Sequence, residues 1–291
     1  MQLVFIESIS LYTGWIRFAT FEKQPVQRQK FMINISIMSK TISIISQKEG
    51  TGKTTIAVNI ATSLALFEKK TLLIDCDPQS HLSQYGSIYS RESSETLFYG
   101  FMGRASAREL AVKTPIEYLT LIPSKPNLFL TEHRLAVKPG KELILKKLIQ
   151  EIKDDFQYII IDSPSSLGFF TICSMAASDW AILPVRCNDS TLDEISDLNE
   201  VVRIVQEQLN PDLKIAGTLF NQCSGRDQLN QLFSKNELKS IPYKSFMTTI
   251  PADDMIRKSS MLGKPVALHN ITAKAAQAYF DFSVELMKEI A

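Results

Sequence analysis

One stretch constrains the fold of this chain more than any other: TISIIS (41–46), then Gln47-Lys48-Glu49-Gly50-Thr51-Gly52-Lys53-Thr54-Thr55, then IAVNIATSLALF. The isoleucine-rich run, closed by a polar loop containing glycine, reads as a buried parallel strand. Ile56, Ile60, Leu64 and Phe67 recur at helical spacing, which predicts a helix over 54–67. A glycine-containing loop between a strand and a helix lets backbone N–H groups converge on one point, and the helix N-terminus adds positive potential there. Such a loop is a cradle for phosphate oxygens. In it Lys53 would reach the β- and γ-phosphates of a nucleotide, and the Thr54 hydroxyl would sit on Mg²⁺. The strict spacing G-x-x-x-x-G-K-[ST] is not met, because Gln47 stands at the first glycine position.

The rest of the chain repeats the alternation. Short apolar runs at 71–75, 118–122, 158–162, 180–185, 213–220 and 245–250 read as strands, and 141–154, 193–209 and 273–290 as helices. Continuously apolar strands alternating with helices predict an α/β fold: a doubly wound, mostly parallel sheet with helices on both faces. Asp75 closes one strand with Asp77 just beyond it, and Asp162 closes another. In open α/β sheets that carboxyl edge is where ligands bind. Met38 opens a polar turn ahead of the first strand, so residues 38–291 read as one domain. Residues 1–37 read as a flexible extension or a misassigned start.

Composition excludes some classes. Hydrophobic residues make up 45% and charged residues 22%, which fits a globular protein with a sizeable core. The formal net charge is +1, so any polyanionic partner must be held by a local patch. Cys76, Cys173, Cys187 and Cys223 form no C-x-x-C pair and read as buried free thiols, not as a disulfide scaffold or a zinc site. His81, His133 and His269 show no metal-ligand spacing. No apolar run approaches the ~20 residues of a membrane span, and Glu7 and Arg17 interrupt the apolar start.

The loop resembles the deviant Walker A motif K-G-G-x-G-K-[ST]-[ST] of the ParA/MinD ATPases, with Lys48 at the signature lysine. Three later segments resemble the ParA branch. Leu73-Ile74-Asp75-Cys76-Asp77-Pro78-Gln79 is similar to its L-I-D-x-D-P-Q. Tyr158-Ile159-Ile160-Ile161-Asp162-Ser163-Pro164 is similar to its Walker B strand and switch. Ile250-Pro251 followed by Gly263-Lys264-Pro265 is similar to its late I-P-x₁₁-G-K-P. The resemblance implies a cytoplasmic, nucleoid-associated ATPase with ATP and Mg²⁺ as cofactors, weak alone and stimulated by a ParB-like partner. It implies an ATP-dependent homodimer that binds DNA non-specifically to segregate plasmid, chromosome or other cargo, with no membrane anchor.

Roles follow residue by residue. Glu49, Gly50, Thr51 and Gly52 would line the phosphates, and Lys53, Thr54 and Thr55 would hold the triphosphate and Mg²⁺. Asp162 would order the metal shell through water. Asp77 would position the attacking water, with a secondary place at the metal, and Asp75 would support that corner. Lys48 would act across the dimer, while Asn221, Gln222 and Pro251 would meet the adenine.

Two departures stand out. Glu49 replaces the first glycine of K-G-G, putting a carboxylate beside the phosphates and the facing subunit. Ala252, Asp253, Asp254 and Met255 occupy positions where relatives often carry DNA-contacting arginines. The candidate DNA cations are then Arg257, Lys258, Lys235, Lys239 and Lys244, with a plain solvated face as the alternative reading. Two other functions remain open on the same fold. A MinD-like membrane regulator would end in a basic amphipathic tail, whereas this sequence closes with ELMKEIA. An iron–sulfur or metabolic P-loop enzyme would need its own site, and for a cluster, paired cysteines.

Overall fold

The computed structural model describes residues 38–82, 85, 88, 95–187, 192–224 and 242–291, with backbone alone for 192–196. The expectations for residues 1–37, Lys235 and Lys239 lie outside the described residues. The strands are β1 (Lys40–Ile44), β2 (Thr71–Asp75), β3 (Val112–Lys113), β4 (Leu119–Ile122), β5 (Tyr158–Asp162), β6 (Trp180–Arg186) and β7 (Lys214–Asn221). They form a seven-stranded sheet in the order β3-β4-β2-β5-β1-β6-β7. All pairings are parallel except that of the short edge strand β3, which runs antiparallel to β4 and is not expected from the sequence.

The α-helices are α1 (Lys53–Leu66), α2 (Leu97–Phe101), α3 (Ala107–Leu110), α4 (Leu130–Arg134), α5 (Ile144–Gln150), α6 (Phe169–Ala176), α7 (Leu192–Gln208), α8 (Asp254–Met261), α9 (Val266–His269) and α10 (Lys274–Glu289). The helix expected over 141–154 is α5 flanked by 3₁₀ turns at Lys141–Leu143 and Lys153–Asp155. Among the described residues no helix is long and apolar enough to cross a membrane.

Strand side chains alternate between two cores, as the pleat requires. Ile42, Ile44, Leu73, Ile160 and Ile182 face α1, α9 and α10, together with Ile56, Ile60, Tyr279 and Phe282. Leu72, Ile74, Ile159 and Ile161 face the opposite way, against Phe101, Leu145, Phe169 and Phe170 of α2, α5 and α6. On that same side Ile45, Ala181 and Leu183 meet Leu198, Val202 and Val205 of α7. Helices therefore cover both faces, as the apolar strands predict.

The run 245–250 is not a strand. Thr218 makes one bridge to Ser245, with its N–H on the Lys244 carbonyl at 2.9 Å. Glu285 on α10 then accepts from the Met247 and Thr248 N–H groups at 2.7 and 2.9 Å and pulls the segment off the ladder. The chain rejoins β7 only at Ile250, whose N–H donates to the Phe220 carbonyl. The cysteines also depart from expectation. Cys187 and Cys223, just beyond the ends of β6 and β7, form a disulfide with Cα atoms 5.2 Å apart, whereas Cys76 and Cys173 are free and buried. Sequence spacing hid the pair, because it arises from the β6–β7 register, in which Arg186 lies opposite Asn221.

Candidate active site

β1 pairs with β5 on one side and β6 on the other, so the chain leaves β1 at the point where the sheet's winding reverses. The loop 46–52 follows directly. Gly50 and Gly52 adopt φ of +74° and +88°, conformations that turn successive N–H groups toward a common point. A Cβ at Gly52 would lie 2.5 Å from Asn221 Nδ2, so this position requires glycine for space as well as for dihedral.

Lys53 opens α1 and is only 5% exposed. Its ammonium donates to the Lys48 carbonyl at 3.2 Å and to Ser165 Oγ at 2.7 Å. The Thr51 hydroxyl donates to that same carbonyl at 3.2 Å. The loop is also held from β7: Asn221 Nδ2 donates to the Thr51 carbonyl at 2.7 Å, and Gln222 Nε2 to the Gly50 carbonyl at 3.2 Å. Neither Ser165 nor this double tether is read from the sequence. Ser165 stands close to a detectable signal, since S-P-S-S directly follows the strand that ends in Asp162.

Asp75 and Asp162 end adjacent strands in register. The Asp77 N–H donates to Asp75 Oδ1 at 3.2 Å, and Asp77 Oδ1 accepts from the Gln79 N–H at 2.8 Å, which fixes the turn after β2. Glu49, Gly50, Gly52, Lys53, Thr54, Thr55, Asp77 and Ser165 share one cleft of about 800 Å³. A second cleft, of about 1230 Å³, is lined by Gln222, Pro251, Asp254, Arg257 and Lys274. Thr55 and Ser260 line both. Gln222 and Pro251 thus line a cleft that adjoins the one around Lys53. Asn221 lines neither cleft; it is buried and its side-chain amide is committed to the loop.

Residues 39–215 match the AAA_31 family, an AAA domain. The chromosome partitioning protein ParA of Myxococcus xanthus is 31% identical over 86% of this chain and 89% of its own length. The sporulation initiation inhibitor protein Soj of Bacillus subtilis is 33% identical over 86% of this chain and 98% of its own length. The chain belongs to the ParA/Soj family of partition ATPases. The fold is also that of cobyrinic acid a,c-diamide synthase from Mycobacterium smegmatis, solved with bound ADP and magnesium. That similarity has a TM-score of 0.74 at 24% identity, over 87% of this chain and 96% of that one.

The electrostatics of this ParA/Soj site are dominated by charged groups held under cover. Both carboxylate oxygens of Asp162 are buried without a hydrogen-bond partner. Burial pushes the Asp162 carboxyl up to about 7. The Thr54 hydroxyl, near enough to favour the charged form but short of a formed hydrogen bond, opposes that rise, as does Lys53; Asp77 adds to it. Burial likewise lowers the Lys53 ammonium, while Asp162, Asp77 and Glu49 hold it up. Orphaned carboxylate oxygens beside a threonine hydroxyl fit the hydration shell of a hard divalent cation.

The departures resolve differently. Glu49 is exposed and is not among the non-glycine residues with positive φ, so its backbone accepts a side chain without strain. Asp253 caps two helices: Oδ1 accepts from the Met255 N–H at 2.9 Å and Oδ2 from the Ala275 N–H at 3.1 Å. An arginine there would leave both donors open. Lys244 is ion-paired with Glu289, whereas Arg257 and Lys258 are exposed on α8.

Proposed function

We propose that this chain binds ATP with Mg²⁺, hydrolyses it slowly, dimerises around it and holds DNA without sequence preference to segregate a cargo. The carrying observation is the convergence of a buried Lys53, the glycine-turned loop and Asp77 on one cleft, with the partnerless Asp162 carboxylate buried behind it within electrostatic reach of Lys53 and Thr54. γ-Phosphoryl transfer demands positioning and neutralisation of spread charge more than covalent chemistry. Lys53 supplies a fixed cation to the β- and γ-phosphates, and the loop N–H groups hold the oxygens between them. Thr54 and, through water, Asp162 would hold Mg²⁺, which when bound would supply further positive charge beside the phosphates. Asp77 orients the attacking water. Lys48, whose carbonyl anchors Lys53, places its ammonium on the partner subunit's phosphates, so closure of the dimer completes the site.

The base lies toward Gln222 and Pro251 in the adjoining cleft. The protein works in the cytoplasm on the nucleoid, and a ParB-like protein stimulates hydrolysis and release. The family resemblance supports these parts, together with the exposed cations on α8. Fluorescence anisotropy on a random-sequence duplex tests the reading. Binding should require a slowly hydrolysed ATP analogue and weaken steeply between about 50 and 200 mM salt, as counterion release dictates. Binding that ignores both nucleotide and salt would remove DNA from the function and leave the ATPase.

A further inference from the structure

Asn221 and Gln222 grip the phosphate loop, and the next residue is covalently tied to the neighbouring strand. The Cys187 N–H donates to the Asn221 carbonyl at 3.0 Å, so the β6–β7 ladder ends at this pair. Beyond it, Cys187 and Cys223 are bonded through sulfur. Cys223 is also a junction for the base-side loop: its N–H donates to the Ile250 carbonyl at 3.1 Å and its carbonyl accepts from the Ala252 N–H at 3.0 Å. Between the grip and the junction sits Gln222 at φ +58°, a conformation costly for any residue but glycine. Here that dihedral is held from both sides. One side is the ladder at Asn221 and the other is Cys223.

We propose that Cys187–Cys223 is a redox-modification site: a dithiol–disulfide pair that exchanges with small thiols and disulfides, and whose closed form tightens the loop's hold on ATP. Oxidation runs by ordinary exchange. One protein thiolate attacks a small disulfide RSSR, forming a mixed disulfide and expelling RS⁻. The second protein thiolate attacks the mixed disulfide, closing the Cys187–Cys223 bond and expelling the second RS⁻. The two protons lost by the protein thiols end on the two RSH, and the two electrons lost by the protein sulfurs reduce RSSR. A small dithiol reverses the sequence.

The other cysteines do not compete. Cys76 and Cys173 are free, and burial pushes both thiols up, which suppresses their thiolates. Cys187 and Cys223 are themselves mostly covered, among Val185, Phe220 and Tyr243, so exchange belongs on a scale of minutes to hours. With the bond open, Cys223 keeps only its backbone ties and Gln222 can relax. The amide bonds to the Gly50 and Thr51 carbonyls then slacken, and ATP must re-order the loop when it binds.

This inference rests on the ATP reading of the cleft, and the experiment separates the two. The full chain is equilibrated overnight with oxidised or reduced dithiothreitol. Alkylation of an unfolded sample and peptide mass mapping then identify the linked cysteines, and each folded form is titrated with a fluorescent ATP analogue and Mg²⁺. The oxidised form should protect Cys187 and Cys223 alone. The reduced form should bind roughly three- to tenfold more weakly, the cost of ordering one or two more side chains. Cys187→Ser with Cys223→Ser should show the weaker affinity under both conditions. Should that variant fail to fold, the wild-type comparison still decides. Alkylation of both cysteines after oxidation, or equal affinities of the two wild-type forms, would overturn the proposal. Failure of both forms to bind would overturn the ATP reading and this inference with it.

Discussion

At Gly52 the loop's requirements meet in one residue. Its φ is +88°, and Asn221 Nδ2 stands 2.5 Å from the point a β-carbon would occupy, which leaves no room for alanine. Gly52→Ala should cost about 1–3 kcal/mol of stability in urea titration and break the Asn221 tether, so nucleotide affinity should fall with it. An alanine variant of full stability and affinity would show that the tether is not what shapes the loop. Glu49 poses the opposite case, a side chain where the backbone is unstrained. Glu49→Gly would confound charge with chain freedom, which alone costs about 0.4–1 kcal/mol. Glu49→Gln keeps the backbone and removes the charge. If the carboxylate resists dimer closure, Glu49→Gln should sediment as a tighter dimer with a slowly hydrolysed ATP analogue, and an unchanged or weaker dimer would clear the carboxylate. Asp77 needs similar care, because its Oδ1 holds the Gln79 N–H. Asp77→Asn keeps that acceptor, so ATP should still bind while single-turnover hydrolysis slows by about 10²-fold or more.

Elements explain what sequence reading can reach. Lys53, Thr54, Asp77 and Asp162 are legible because each sits at or just past the end of a strand or at the start of a helix, and those ends are marked by local composition. Asn221's hold on the loop is not legible. It depends on a hydrogen bond spanning 170 residues, set by where β7 stops beside β1's loop. The strand expected at 245–250 fails for a related reason: Glu285, distant in sequence, captures two N–H groups that a ladder would have used. Asp253 likewise reads as a lost arginine in sequence and as a double helix cap in three dimensions. Asp253→Ala should therefore destabilise the protein by about 1–3 kcal/mol, read from the urea midpoint. On the neighbouring face of α8, replacing Arg257 and Lys258 together should lower the salt slope of DNA binding by about one per lost phosphate contact. Lys244→Ala, whose ammonium is already paired with Glu289, should leave that slope alone. The reverse outcome would move the DNA surface off α8.

On the scale of the whole molecule, the sheet order makes the site. Placing β1 between β5 and β6 brings the loop, the Asp162 end of β5 and the Arg186 end of β6 to one edge, with β7 close enough to tether the loop from outside. The two clefts that share Thr55 open on that edge side by side, and the proposed reading puts phosphates in one and the base in the other. All of this rests on Lys53 being the charge that the nucleotide answers, since it is the buried cation at the centre of the cradle. Calorimetric titration of ATP with Mg²⁺ into the wild type and Lys53→Ala is the most direct measurement. The wild type should give a saturable isotherm, and the variant, still folded by circular dichroism, should give no measurable heat of binding. Equal affinity in the folded variant would contradict the account.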